Sequence, residues 1–126
     1  MAKGYQANQE RLAQVAGLGK VLARRAAFKC EWCEGRDDLK PCDLDPAEEP
    51  SEATVALLCG NCRGLAGGKR GYTSGLRSLQ GALWHSEPVV AAAAARVLAR
   101  SGESWAREAI EDSMLDDALK QELLGQ

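Results

Sequence analysis

Two short segments constrain this chain more than anything else in it: CEWCEG at residues 30–35 and CGNCRG at residues 59–64. Each is a Cys-x-x-Cys-x-Gly turn, with 25 residues between the inner cysteines. Zinc takes four soft ligands in a tetrahedron with Zn–S near ~2.3 Å; one such turn supplies two sulfurs and a second turn supplies the opposite pair. Cys30, Cys33, Cys59 and Cys62 are therefore the expected ligands of one structural Zn2+. The gap between the pairs exceeds the usual spacing of about 15–20 residues, and the acidic stretch DPAEEPSEA (45–53) is where the excess is absorbed. Gly35 and Gly64 are expected to let the backbone turn tightly after each pair.

Other uses of cysteine fit less well. Five cysteines do not make a fully paired disulfide framework. The opening MAKGYQANQERLAQ is polar and lacks the apolar core of a secretory signal. The longest apolar run, VVAAAAA (89–95), stops at Arg96, far short of a bilayer span. The expectation is a soluble, cytoplasmic chain, where paired cysteines hold metal or do redox chemistry. A redox pair belongs at a helix start in a βαβ setting, and neither segment reads that way. Nothing in the sequence suggests an open coordination position, which disfavours catalytic zinc.

The formal charge of −2 conceals alternation: the net charges of residues 1–40, 41–62, 63–100 and 101–126 are +3, −5, +5 and −5. Bulk charge does not mark a nucleic-acid binder, but it leaves room for a local basic patch. The patch is RGLAGGKRGYTSGLR (63–77), a glycine-rich loop at 63–75 running into a short helix. Arg63, Lys69, Arg70, Tyr72 and Arg77 are its candidate contacts to a nucleic acid or a protein partner, cations for phosphate and an aromatic for stacking.

Hydrophobic spacing gives the remaining elements. Leu12, Val15, Gly19, Leu22 and Ala26 recur at steps of three and four, predicting an amphipathic helix within 9–27. DDLKPCDL and TVALLC read as short strands on either side of the acidic loop. Ser86 is a candidate cap and Pro88 a first-turn residue for an alanine-rich helix over 87–100, closed by Gly102. ESWAREAIEDSM predicts another helix, and Asp116 caps a last one. The fold class is thus α+β: a small β zinc ribbon with an N-terminal helix and a C-terminal bundle of about three helices. The segments are 1–27 (helix), 28–66 (ribbon), 67–83 (basic loop and short helix) and 84–126 (helical), together one compact domain. Trp84 and Trp105 are expected to anchor helices on the core. Trp32, between two ligands, either lies exposed at the tip of its turn or folds over the N-terminal helix. Arg24, Arg25 and Lys29 either extend a basic face or form a solvated helix end.

In order and spacing, CEWCEGRDDLKPCDLDP, LLCGNC, GLRSLQGALWHSEPVVA and ESWAREAIEDSMLD resemble the PhnA-like zinc-ribbon proteins, a family named for association with alkylphosphonate operons. The resemblance spans roughly residues 20–119 and includes the four cysteines, Arg77, Leu79, Trp84, Pro88 and Trp105. It implies a zinc ribbon with four cysteine ligands and no defined reaction. Cys42 stands where the family has Tyr, and Glu34 where it has Gly. Many members continue into a small β-barrel, and this chain ends before one.

The function expected is a non-enzymatic zinc-ribbon protein, an adaptor or regulatory module for a protein or nucleic-acid partner, with no membrane; the sequence identifies no small-molecule substrate. The alternative is a degenerate relative of the HNH nucleases, many of which carry paired Cys-x-x-Cys around L-x-V-H-H-x-x-P. LKPCDLDP (39–46) stands in the equivalent place, with Cys42 and Asp43 where the His pair would be. Such a nuclease needs a His to activate water and ligands for a catalytic cation, and His85, the only His, lies beyond the second Cys pair. Phosphonate hydrolysis is rejected on similar grounds: Asp43, Asp45, Glu48, Glu49 and Glu52 read as a solvated acidic loop.

Overall fold

The computed structural model describes residues 2–68 and 75–125, with side chains from residue 7 onward. Along the chain run α1 (Ala2–Gly17), α2 (Gly19–Arg25), β1 (Lys40–Asp43), β2 (Val55–Leu58), α3 (Gly60–Ala66), a 3-10 helix (Leu76–Trp84), α4 (Pro88–Arg100), α5 (Ser104–Asp112) and α6 (Asp117–Leu124). The class is α+β, as expected. Among the described residues no helix is long and apolar enough to cross a membrane.

The strands form an antiparallel hairpin with Lys40 opposite Leu58 and Asp43 opposite Val55. All four residues of β2 are buried, and its alternating side chains serve two cores. Ala56 and Leu58 join the main cluster with the buried cysteines and α4. Val55 and Leu57 pack on the other side against Val15 and Leu22. β2 is therefore the wall between the N-terminal helices and the rest of the chain.

The N-terminal segment divides at Leu18 into two helices, where the periodicity predicts one. Val15 and Leu22 are buried, but Leu12 is 55 % exposed, because α1 meets the hairpin partly through a polar contact instead. Arg11 donates from Nε to Asp43 Oδ2 at 2.6 Å, and from its terminal nitrogen to the carbonyls of Asp45 and Glu48. The acidic loop is fastened to α1 by this one guanidinium.

Helix α4 is the hub of the C-terminal half, touching α3, the 3-10 helix, α5 and α6. Val90, Ala91, Ala94, Ala95, Val97 and Leu98 form its buried face, and the small alanines let its neighbours approach closely. Pro88 occupies its first turn, the N-cap is Glu87 where Ser86 was expected, and Gly102, at φ 73°, follows its end. Asp116 caps α6 by accepting from the Ala118 N–H at 3.1 Å.

The 3-10 helix turns every three residues, which brings Leu79 and Ala82 inward, with Leu83 beside them and Leu76 partly buried. Trp84 falls off that stripe and is 57 % exposed, so it does not anchor the core as expected. Trp105 is partly buried against the core, with the Arg77 guanidinium 4.7 Å above its ring.

Candidate metal centre

The first Cys pair lies in a tight turn between α2 and β1. Glu34 N–H donates to the Cys30 carbonyl at 2.9 Å, and Cys30 N–H donates to the Gly35 carbonyl at 2.6 Å. The left-handed corner falls on Glu34, at φ 67°, and not on the glycine expected to make it. Gly35 serves differently: its N–H points at Cys33 Sγ at 3.4 Å, and a Cβ there would lie 3.3 Å from the same sulfur.

The second pair opens a helix. Cys59 is the N-cap of α3 and its sulfur accepts from the Cys62 N–H at 3.4 Å. Residue spacing predicts no helix start at either pair and a loop over 63–75; α3 instead runs to Ala66 directly out of β2. The order is turn, hairpin, helix, and Gly64 lies buried inside α3.

All four sulfurs, of Cys30, Cys33, Cys59 and Cys62, lie within 4.8 Å of one another. Cys33 Sγ and Cys59 Sγ are 3.6 Å apart. A disulfide requires about 2.05 Å, whereas the edge of a tetrahedron with ~2.3 Å metal–sulfur bonds is about 3.8 Å. The spacing fits four ligands around one ion, and these residues could hold a metal.

The electrostatics agree. A hydrogen bond from Cys62 holds the Cys30 thiol down at about 5, against burial and helped by backbone N–H groups. Burial and the charge on Cys30 push Cys33 up to about 11, despite the Gly35 N–H. Donation to Cys30, with burial, pushes Cys62 up further. Protein dipoles favour one thiolate, and its charge opposes the next. A bound cation removes that conflict, since metal ligation deprotonates the thiols.

The two residues inside the first pair fasten the site to the rest of the chain. Trp32 is 2 % exposed and donates from Nε1 to the Val90 carbonyl in α4 at 3.2 Å, so it lies neither at an exposed tip nor over the N-terminal helix. The Glu31 side chain, also 2 % exposed, accepts from both Arg25 Nε (2.7 Å) and Arg25 Nη2 (2.8 Å), and from the Leu57 N–H (2.7 Å). Glu87 N–H donates to His85 Nδ1 at 2.9 Å, which puts the ring proton on Nε2, 2.8 Å from Glu31 Oε1. Burial pushes the Glu31 carboxyl up, but the bonds from His85, Arg25 and Leu57 prevail and hold it at about 2. Arg25 also donates to the carbonyls of Glu52 and Val55.

The remaining candidates are dispersed. Arg63 donates to the carbonyls of Asp38 (2.6 Å) and Leu58 (2.8 Å) and to the Asp38 carboxylate (2.7 Å), tying α3 to the segment before β1 and to the end of β2. Arg77 lies over Trp105. Lys69, Arg70 and Tyr72 lie outside the described residues. Cys42, on β1, is not one of the four clustered sulfurs, and burial pushes its thiol up despite Arg63 nearby. Sequence reasoning missed Arg25, Glu31 and His85 as a unit. The only signal for it was a carboxylate inside a Cys-x-x-Cys turn that a small core must bury.

Compared with protein-family models, curated proteins and solved structures, the chain matches none of them.

Proposed function

We propose that this chain is a non-enzymatic binding module whose fold is held by one structural zinc on Cys30, Cys33, Cys59 and Cys62. The observation that carries this reading is the set of four sulfurs within 4.8 Å, three of them on residues that are nearly fully buried. Four thiolates suit zinc and fill its tetrahedron, leaving no position for water or substrate. A hairpin of two four-residue strands gains the cross-link it needs from the metal. The PhnA-like motifs quoted above support the same reading.

The nuclease alternative has one observation in its favour: the second Cys pair opens a helix directly after the hairpin, a treble-clef arrangement of the kind HNH nucleases use. Its chemistry has weaker support. Asp43 is paired with Arg11, and His85 is turned inward onto Glu31. A DNA-cleavage assay with added divalent cation separates the two readings. The module reading expects no cutting and unfolding on chelation. Cation-dependent cutting abolished by His85→Ala would establish the nuclease.

A further inference from the structure

A groove of about 580 Å³ opens between the end of the 3-10 helix, α4 and the segment leading from Met114 into α6. Leu83, Trp84, Pro88, Met114, Leu115 and Leu119 line it, together with Ala91 and Ala92 of α4. Trp84 and Met114, 57 % and 81 % exposed, stand beside it as two of the most exposed large apolar side chains described. Exposed aromatic and methionine surface around a concave apolar strip is the chemistry of a docking site for an amphipathic helix.

The charge around the groove selects the partner. The wall carrying Met114 is the sequence EDSMLDD, Glu111 to Asp117. Asp116 lines the groove itself, and Glu111, Asp112 and Asp117 are exposed within three residues of Met114. None of these four carboxylates makes an ion pair among the described residues. The nearby ammonium, Lys120, is committed to the carbonyls of Glu111 and Ser113 at 2.9 and 2.7 Å. His85 reaches the groove but directs Nε2 at Glu31.

We infer that this groove binds a basic amphipathic helix of a protein partner, its apolar face against Trp84 and Met114 and its Lys or Arg side chains over Asp112, Asp116 and Asp117. This rests on the reading of the chain as a binding module and names the surface and the chemistry of the partner. Such a rim disfavours anionic partners, nucleic acid included.

The test titrates the zinc-loaded chain with two helical peptides of about 18 residues, five turns. They share a tryptophan-free Leu/Phe face and differ in bearing Lys or Glu on the other face. The Lys peptide is expected to bind one-to-one, to shift Trp emission to the blue as Trp84 is covered, and to weaken between about 50 and 200 mM salt. The Glu peptide is expected to bind at least about tenfold more weakly, and Met114→Glu to weaken the Lys peptide by about tenfold. The double variant Asp112→Lys with Asp117→Lys is expected to reverse the preference. Equal affinity for both peptides, indifference to Met114→Glu, or self-association through Trp84 in place of peptide binding would overturn the inference. Zinc content and circular dichroism in the same samples separate the two claims. Folded, zinc-loaded protein that binds neither peptide removes the groove alone, and binding by metal-free folded protein removes the zinc reading alone.

Discussion

Glu31 Oε1 lies 2.8 Å from His85 Nε2, linking the inside of the first Cys pair to the residue that ends the 3-10 helix. With Arg25 and the Leu57 N–H on the same carboxylate, one buried side chain ties α2, β2 and the helical half to the cysteine cluster. The site is therefore integrated into the core and is not an appended finger.

Glu31→Ala is expected to cost about 3–5 kcal/mol, because it leaves the Arg25 guanidinium without its buried carboxylate. His85→Ala is expected to cost about 1–2 kcal/mol, since Arg25 and Leu57 still satisfy Glu31. Urea unfolding of the metal-loaded chain measures both, and the ranking is the point of the comparison.

The same carboxylate sets a pH dependence. Its folded value of about 2 lies below the ordinary 4.5, so the folded state holds the proton less tightly than the unfolded chain. The stabilisation is fully present above 4.5 and is lost as pH falls toward 2. Wild type is expected to exceed Glu31→Gln in urea midpoint at pH 7, with the gap narrowing below about pH 5. A gap constant from about pH 7 to about pH 3.5 would contradict this.

Glu34 occupies a left-handed conformation at φ 67°, which costs a side-chain-bearing residue about 1–2 kcal/mol. Glycine removes that strain but loses more chain entropy, so Glu34→Gly is expected to gain up to about 1 kcal/mol. Gly102, at φ 73° after α4 with open space around it, gives the converse. Gly102→Ala is expected to lose about 1 kcal/mol through backbone strain alone. Thermal melts of the two variants check both signs.

Trp32 joins the first turn to α4 through its Nε1–H and a buried ring. Trp32→Phe is expected to destabilise by about 1–3 kcal/mol, combining a lost hydrogen bond with a small cavity. Trp84→Phe, at an exposed ring, is expected to change stability by less than about 0.5 kcal/mol.

The four clustered cysteines, the two strands and the three C-terminal helices are legible in the sequence because each depends on local spacing, a cap or a turn residue. What was illegible depends on partners distant in the chain. The orientation of Trp32 is decided by a carbonyl 58 residues away, and the burial of Glu31 by a histidine 54 residues away. Trp84 reads as an anchor because it is large and apolar; the three-residue turn of the 3-10 helix decides otherwise. Leu12 fits the helical stripe, yet Arg11 beside it makes the long-range contact to Asp43.

The most direct test of the central claim is the native mass of untagged protein purified without chelator, compared with Cys59→Ser. The account predicts one zinc per chain in the wild type, and loss of both zinc and fold in the variant. A metal-free wild-type chain that is fully folded would contradict it.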